Sequence, residues 1–384
     1  MLSSNHSLLD DRIYWKEAIS LSKNGYEVCH IGIGTEAKEY ITPEGIKLIE
    51  IPFSQNSKAA ILFKKTASYY QKIFEHAKKE KAAAYQFHDW QLNIIGKQLK
   101  SLPHKPKVIY DAHEATADMI LSEAGNKANI KKIIAFLSSA FIRTWELKAA
   151  NNYDHIITAE DSVETFFGKK VSPHQITCIH NYSYFLPANT LTNGVKKYHI
   201  IYSGSLSAQR GIIELLDAIS IAAKSFPTIK TLIIGSVNEH NFQEKILEKI
   251  KAANLESNVE LMPAVPFSTI KDFYRQSEIG ICGWHLNAKN INAIPIKIFE
   301  YMAFGLPVIF SNQGIATKYI TEYNTGILVN PYNPDQIAEA ILSLLNNKAY
   351  YEELSANGKK AITEKYNWQN EEQKLLHVYR QLFS

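Results

Sequence analysis

A strand, a glycine loop and a helix start follow one another in residues 199–211, which read HIIYSGSLSAQRG. The apolar run before Gly204 is typical of a buried strand, and the spacing of apolar residues over 212–225 is typical of a helix. Glycine lets backbone N–H groups approach an anion, and a helix N-terminus beside an arginine stabilises phosphate oxygens. The stretch predicts either a phosphate-binding turn that includes Gly204, Ser205 and Arg210 or an ordinary strand-to-helix turn with a surface arginine.

The same alternation of strand and helix patterns continues in both directions from this stretch. Runs rich in Ile and Val predict strands at 27–34, 107–111, 155–158, 199–204, 231–235, 279–282 and 307–310, and amphipathic stretches predict helices at 14–23, 212–225 and 239–253. Buried strands that alternate with helices indicate parallel sheets covered on both faces. The predicted fold class is therefore α/β, with two Rossmann-like, doubly wound domains facing each other across a cleft.

The chain has 384 residues, a length that favours two domains. A polar, turn-rich segment at 187–197 separates the two sets of predicted strands. We therefore predict an N-terminal domain at 1–190 and a C-terminal domain at 191–367, with a last helix at 368–384 that packs back on the first. The residues before His6 are too few for a strand and its loop, so we expect the first sheet to lack its first strand or the recorded start to be wrong.

Composition excludes several classes of protein. The chain is 46% hydrophobic and 21% charged with a net charge of +4, which argues against a disordered chain and against a nucleic-acid partner. The three cysteines are far apart and form no Cys-x-x-Cys pair, so the sequence predicts no zinc site and a reduced compartment. Neither an apolar run of about 18–20 residues nor a secretory signal is present. We expect a cytoplasmic protein, attached at most to the inner face of a membrane.

A second chemical motif lies at 295–307, which reads PIKIFEYMAFGLP. Proline at its start and Gly305 near its end delimit a short helix, on which Lys297 and Glu300 share a face. At the mouth of a cleft, a carboxylate can accept two hydrogen bonds from a ribose diol, and the helix N-terminus with its lysine can bind a diphosphate. The alternative is a solvated ion pair between these two side chains.

Two histidine segments follow predicted strands, at 87–90 and at 110–114. A histidine at a strand end can donate a hydrogen bond to a phosphate or a sugar hydroxyl, or transfer a proton. The alternative is a structural role in which each ring is satisfied by its neighbours. No further clustered ligands complete a metal site near either segment, so we predict none.

Taken in order, these segments resemble a family 4 (group 1) retaining glycosyltransferase with the glycosyltransferase-B fold. The Tyr-Asp-x-His-Glu segment of that family is similar to 110–114, and its donor-binding motifs are similar to 204–211 and 295–307. Residues 10–18 and 25–28 resemble its first helix and second strand. The resemblance extends over nearly the whole chain.

This resemblance implies a hexosyltransferase that moves a sugar, with retention, from a nucleotide-sugar donor to a glycan, lipid-linked or other hydroxyl acceptor in surface polysaccharide biosynthesis. It assigns donor binding to Gly204, Ser205, Arg210, Lys297 and Glu300. Glu300 would bind the ribose, and the two cationic side chains would hold the diphosphate.

The resemblance also implies a role for the N-terminal domain. It assigns His113, together with Glu300, to catalysis, with His113 near the transferred sugar, and it places base recognition on the backbone near 262–266. No cofactor or metal is expected, because the cationic pocket stabilises the leaving diphosphate in place of Mg²⁺.

Two positions depart from the family pattern. Asn292 stands where the family has the first of two glutamates, and Ser205 stands where it often has arginine. A subgroup with Arg-Gly in the first motif and Pro-x-Lys in the second shares this pattern. The alternatives left open are a non-catalytic sugar-nucleotide-binding subunit and a sugar-nucleotide epimerase. No Gly-x-Gly-x-x-Gly follows a predicted strand, which argues against a dinucleotide oxidoreductase.

Basic residues are mixed with apolar ones at 58–81 and 130–145, both in the predicted acceptor domain. A basic amphipathic helix can lie on an anionic leaflet, so one hypothesis is peripheral contact with an anionic membrane. The alternative is that the apolar residues belong to the core and the lysines form a solvated face.

Overall fold

The structure is a computed structural model that describes residues 1–52, 59–88, 90–113, 116–123, 129–184, 195–237, 239, 241–285, 291 and 293–384. The chain divides into two compact units, Met1–Asn181 with Trp368–Ser384 and Tyr182–Asn367. Each unit has one central β-sheet with helices, which confirms the α/β class predicted from the alternating pattern. Most of the predicted boundary segment, 187–197, lies outside the described residues.

The first unit is built on a sheet in the order β3-β4-β2-β1-β5-β6-β7-β8. Its strands are β1 Leu2–Ser7, β2 Cys29–Gly34, β3 Lys38–Ile41, β4 Lys47–Pro52, β5 Ala84–His88, β6 Lys107–Ala112, β7 His155–Thr158 and β8 Ile176–Cys178. Only β3 among them pairs antiparallel, with β4. Its helices before the crossing to the second unit are α1 Ile19–Lys23, α2 Ala59–Glu80, α3 Asn93–Lys100, α4 Thr116–Glu123, α5 Asn129–Ala150 and α6 Asp161–Phe167.

The prediction that the first strand is missing was wrong. Residues Leu2–Ser7 form β1 in the middle of the sheet, parallel to both β2 and β5. The sequence pattern did not reveal this strand, because Val and Ile are absent from it and two of its buried residues are serines. The Ser3 hydroxyl lies 2.9 Å from Nε2 of buried His30, so the polar side chain is satisfied inside the sheet.

A π-helix at Asp11–Ala18 follows β1 and continues into α1, where the sequence predicts one amphipathic helix. The Asp10 side chain accepts hydrogen bonds from the backbone N–H groups of Arg12 and Ile13 and so caps the helix start. The wider helical turn begins directly after the loop that follows the central strand. It therefore places Arg12 and Glu17 in the interior of the first unit, where both are buried.

The second unit is built on an all-parallel sheet in the order β11-β10-β9-β12-β13-β14. Its strands are β9 Tyr198–Ser203, β10 Thr231–Ile234, β11 Val259–Met262, β12 Ser277–Cys282, β13 Val308–Ser311 and β14 Gly326–Val329. Its helices are α7 Ile212–Ser225, α8 Phe242–Ala252, α9 Phe267–Arg275, α10 Ile296–Ala303, α11 Thr317–Thr321, α12 Pro334–Asn346 and α13 Lys348–Glu364. Apolar side chains from both faces of this sheet form two buried clusters, as expected for a doubly wound domain.

The last helix, α14 at Trp368–Phe383, returns to the first unit. The indole of Trp368 donates a 3.0 Å hydrogen bond to the Ser20 hydroxyl, and the Tyr379 hydroxyl donates one of 2.7 Å to Gln86. Across the described parts of the chain, no helix has both the length and the apolar character that a membrane span requires.

Candidate functional site

The loop that follows β9 lies against the loop that follows β10. Gly204 has a φ of 122°, a conformation that favours glycine, and its N–H donates to the carbonyl oxygen of Ile234 at 2.9 Å. A Cβ atom at Gly235 would come within 1.8 Å of the Gly204 carbonyl oxygen. Gly235 is therefore required for the close approach of the two loops at the carboxyl end of the sheet, and Gly204 is required for the backbone conformation of the first loop.

Lys297, on the first turn of α10, reaches this glycine loop. Its Nζ donates to the carbonyl oxygen of Ser203 and lies 4.3 Å from the centroid of the Tyr202 ring. Burial and the nearby Arg210 charge lower the pKa of Lys297. The lysine therefore contacts the loop of the first motif.

Arg210 stacks on Trp284 at the same end of the sheet. Its guanidinium carbon lies 4.1 Å from the centroid of the indole. A short 3-10 helix, Ala208–Arg210, ends at Gly211, which has a φ of 69° and approaches the backbone of Gly283 so closely that a Cβ would lie 2.2 Å from its oxygen. Stacking on an aromatic ring holds the planar guanidinium in a fixed position.

Glu300 is held by a tyrosine hydroxyl from another helix, and that hydroxyl belongs to a small hydrogen-bonded group. The Tyr274 hydroxyl, on α9, donates a 2.7 Å hydrogen bond to Oε2 of Glu300. Oγ of Ser203 lies 2.8 Å from that tyrosine oxygen and 3.3 Å from the hydroxyl oxygen of Tyr301. Burial and the Glu300 charge raise the pKa of Tyr274, so this hydroxyl stays a donor and fixes one carboxylate oxygen.

These side chains surround one pocket of about 550 Å³ in the second unit. The residues predicted for the donor all line it: Gly204, Ser205, Arg210, Lys297 and Glu300. It opens at the carboxyl ends of β9, β10, β11 and β12, and β9 lies between β10 and β12, where the strand order reverses. Ligands of open α/β sheets bind at this switch point. The geometry brings the predicted residues together, while their roles stay a prediction.

Other residues of the pocket wall were not predicted from the sequence. Tyr274, Trp284 and Gly235 line it together with Ala264 and Val265, which belong to the segment where base recognition was predicted. Gly235 and Trp284 follow the strands β10 and β12, so their position at strand ends was a usable signal. Tyr274 lies at the far end of a helix, and no local pattern marks it. Asn292, the position that departs from the family pattern, lies outside the described residues.

His113 belongs to a cluster of polar side chains in the first unit. Its Nε2 lies 3.1 Å from Nδ1 of His88 and 3.6 Å from Oδ1 of Asp111. Oδ1 of Asp111 is also 3.3 Å from the Arg12 guanidinium, and the Arg12 Nε lies 2.9 Å from Glu17. The histidine ring therefore lies beside a buried network of one guanidinium and two carboxyl groups.

This network controls the ionisation of His113. Burial lowers its pKa to about 3, against the opposing attraction of Asp111, so the imidazole is neutral at physiological pH. Burial alone would raise the pKa of Asp111, but Arg12 and the histidines hold it below its ordinary range. Burial and the Asp111 charge raise the pKa of Glu17 well above the ordinary value. Arg12 therefore stabilises the ionised form of Asp111, while Glu17 binds its proton more tightly than a free glutamate does.

Ligand atoms of His88, Asp111 and His113 lie within 4.8 Å of one another, which is close enough to hold a metal ion. Arg12 already neutralises Asp111, and two neutral imidazoles add no charge. A second cation at this position would share the Asp111 carboxylate with the Arg12 guanidinium, which lies 3.3 Å from it, and the two positive charges would repel each other. The chemistry of this set therefore fits a metal poorly.

A parallel, doubly wound domain with two cations, a helix N-terminus and a fixed carboxylate at its switch point has the features of a nucleotide-binding domain. Residues 189–361, all within the second unit, match the family model of the group 1 glycosyl transferases. The chain is 25% identical to an uncharacterized glycosyltransferase of Haemophilus influenzae over 354 residues, which cover 90% of this chain and 89% of the relative.

Solved structures show the same fold. The chain is similar to a sucrose-phosphate synthase from Thermosynechococcus elongatus, with a TM-score of 0.72 and 17% identity over 100% of this chain and 98% of the other. It is also similar to HepE of Anabaena in complex with UDP-glucose, with a TM-score of 0.70 and 13% identity over 99% of each chain. The fold is that of the glycosyltransferase-B enzymes, and the comparisons support the group 1 superfamily and glycosyl transfer as the activity.

Proposed function

We propose that the protein is a family 4 retaining glycosyltransferase that transfers a hexose from a nucleotide-diphosphate-sugar to a hydroxyl acceptor. The observation that carries the proposal is the convergence of Gly204, Arg210, Lys297 and Glu300 on one pocket at the switch point. HepE, a structural neighbour of the same fold, was solved with UDP-glucose, which supports a uridine nucleotide among the donors to be tested.

In this proposal the diphosphate binds between the glycine loop, the first turn of α10 and two cations. Arg210 and Lys297 stabilise the negative charge that develops on the leaving diphosphate, and a cationic pocket does so without a metal. Glu300 accepts hydrogen bonds from the ribose diol with the carboxylate that Tyr274 fixes. His113, a neutral imidazole on the first unit, acts on the transferred sugar.

Donor turnover tests this function. Purified protein is incubated with UDP-, GDP- and ADP-hexoses, with and without hydroxyl acceptors, and release of the nucleoside diphosphate is measured in the presence of a chelator. We expect slow hydrolysis of one donor that Glu300→Ala abolishes. Binding without any release of diphosphate would instead indicate a non-catalytic subunit, and a change of the sugar's configuration without transfer would indicate an epimerase.

We also propose that the acceptor is lipid-linked, as in surface polysaccharide synthesis, and that α5 contacts an anionic membrane on its cytoplasmic side. Five large apolar side chains of this helix are between 57% and 69% exposed: Ile133, Ile134, Phe136, Leu137 and Phe141. The alternative that the apolar side chains belong to the core was therefore wrong for these five residues of α5. The same alternative is confirmed on α2 for Tyr69, Tyr70, Ile73 and Phe74, which are buried.

Charge favours an anionic leaflet as the surface that covers this face of α5. Lys132 and Lys148 are exposed near its two ends, and each lysine close to such a leaflet contributes about 1 kcal/mol. We expect co-sedimentation with anionic liposomes that decreases with salt and is lost in Leu137→Ser/Phe141→Ser. The control is Ile41→Ser, which removes a 73% exposed apolar residue from β3. Equal sedimentation of the two variants would contradict the proposal.

A further inference from the structure

Three potential metal ligands that the proposed reaction does not use lie together in the first unit. Cys178 ends β8, and His180 follows it by two residues, so the two side chains leave an extended segment on the same side. Asp161 begins α6 and faces them across the loop. Ligand atoms of the three residues lie within 4.8 Å of one another. We propose that Asp161, Cys178 and His180 form a zinc-binding site.

The distances between the ligand atoms fit one tetrahedral ion. Sγ of Cys178 lies 3.6 Å from Nε2 of His180 and 3.8 Å from Oδ1 of Asp161. Bond lengths of about 2.3 Å to sulfur and about 2.0–2.1 Å to nitrogen or oxygen place such pairs roughly 3.6 Å apart in a tetrahedron. The remaining pair, Nε2 and Oδ1, is 2.9 Å apart and needs to open to roughly 3.3 Å. Zinc would thus replace the hydrogen bonds that join the three side chains, with small side-chain movements.

The carboxylate of Glu371 lies near Nδ1 of His180, the ring nitrogen that would not bind the metal. Oε2 of Glu371, on α14, lies 3.8 Å from Nδ1 of His180 and accepts a 2.9 Å hydrogen bond from the His180 backbone N–H. Lys374 donates to the same carboxylate at 2.8 Å and fixes it. Zinc-binding histidines commonly have a carboxylate at the nitrogen that does not bind the metal, because it orients the ring.

Charge and exposure also suit a zinc ion. A thiolate and a carboxylate together offset the two positive charges, and mixed sulfur, nitrogen and oxygen ligands favour zinc over magnesium or calcium. The Cys178 and His180 side chains are 9% and 12% exposed, whereas Asp161 is 43% exposed. The fourth position is thus open toward water on the Asp161 side.

The position of the site suggests a structural role. Cys178 and His180 lie just before the chain leaves the first unit at Asn181, and Glu371 lies just after it returns at Trp368. An ion held by the outgoing segment and supported from α14 would join the two ends of the first unit. This role is independent of the proposed transfer reaction, so chelation is expected to lower thermal stability without removing a catalytic group.

The test is metal titration of the full chain after removal of bound metal. We expect one equivalent of Zn²⁺ per chain, competed from a chelating indicator, and a thiolate-to-metal charge-transfer band with four-coordinate d–d bands when Co²⁺ is used. Cys178→Ser is expected to abolish the charge-transfer band and to weaken Zn²⁺ binding at least tenfold. Cys29→Ser, which removes the other cysteine of the first unit, is expected to change neither.

A second variant keeps the test decisive if Cys178→Ser does not fold. Asp161→Asn changes a half-exposed side chain, and we expect it to fold, to weaken Zn²⁺ binding and to lose the rise in Tm that Zn²⁺ gives the wild type. Stoichiometric binding that survives Asp161→Asn unchanged, a cobalt band that depends on Cys29, or no binding at micromolar Zn²⁺ would each overturn the proposal.

Discussion

A Cβ atom at position 204 would lie 2.6 Å from the Nζ atom of Lys297. The φ of 122° at Gly204 adds strain for any other residue. We therefore expect Gly204→Ala to displace the lysine and to lower the affinity for a nucleoside diphosphate roughly tenfold, which is about 1.4 kcal/mol. Calorimetric titration measures this. Gly283→Ala is the control, because a Cβ there meets no atom within 4 Å, and an equal loss in the two variants would contradict the explanation.

The proposed contact between Glu300 and the ribose can be tested through ligand affinity. If its carboxylate accepts the two ribose hydroxyls, Glu300→Gln removes charge-assisted hydrogen bonds, each worth about 1.5–3 kcal/mol. We expect at least a tenfold loss of affinity for the ribonucleoside diphosphate and no loss for its 2′,3′-dideoxy analogue. Tyr274→Phe is expected to show a smaller loss in the same direction, because it removes only the hydrogen bond that fixes the carboxylate. Equal losses for the two ligands would exclude ribose binding by Glu300.

His113 is predicted to affect turnover rather than nucleotide affinity. It lies in the first unit, whereas the pocket for the nucleotide lies in the second. We expect His113→Ala to lower kcat by about 10²–10⁴-fold, the usual contribution of a general acid or base, with the Kd of the nucleoside diphosphate within twofold of wild type. Because burial lowers the pKa of His113 to about 3, its ionisation should leave no inflection in kcat between pH 5 and 8. Normal turnover in the variant would return this histidine to a structural role.

The buried Glu146 is expected to make the free energy of unfolding depend on pH. It is buried on α5 and accepts a 2.7 Å hydrogen bond from Tyr110, and burial raises its pKa to about 7. The folded state thus binds a proton more tightly than the unfolded state, whose glutamate has a pKa near 4.5. The free energy of unfolding should fall as pH rises from about 4.5 to about 7, by about 3 kcal/mol in all.

Glu146→Gln removes this ionisable group while it keeps an acceptor for Tyr110. We expect the variant to match the wild type near pH 4.5 and to exceed its Tm at pH 8. The control is Glu75→Gln, which changes an exposed glutamate on α2. The difference in Tm between this variant and the wild type should not depend on pH. A constant difference between Glu146→Gln and wild type from pH 4.5 to 8 would contradict the raised pKa.

Parts of the fold that local signals delimit were predictable from the sequence. The helix predicted at 212–225 is observed with the same ends, because Gly211 and Phe226 lie outside its apolar repeat. Glycine and proline likewise delimit α10, so the two motifs could be recognised before the structure placed Lys297 beside Gly204.

Features that depend on distant contacts were not predictable. Arg12 and Asp111 are 99 positions apart, and only the sheet brings them within 3.3 Å. β1 was missed because its serines do not look buried, although His30 satisfies one of them. The apolar stripe of α5 has the pattern of a core helix. In the part of the chain that the structure describes, however, Phe141 on this stripe is 69% exposed, which the sequence pattern does not reveal.

The central claim is that the pocket beside Lys297 binds the diphosphate of a nucleotide-sugar, and Arg210 tests it most directly. The measurement is the Kd of a nucleoside diphosphate and of the matching nucleoside for wild type, for Arg210→Ala and for Arg380→Ala, which removes an exposed charge from α14. We predict that Arg210→Ala weakens the diphosphate at least tenfold and leaves the nucleoside unchanged, because a charge-assisted phosphate contact is worth about 1.5–3 kcal/mol, whereas Arg380→Ala changes neither. Equal losses for the two ligands, or an equal effect of the two variants, would contradict the claim.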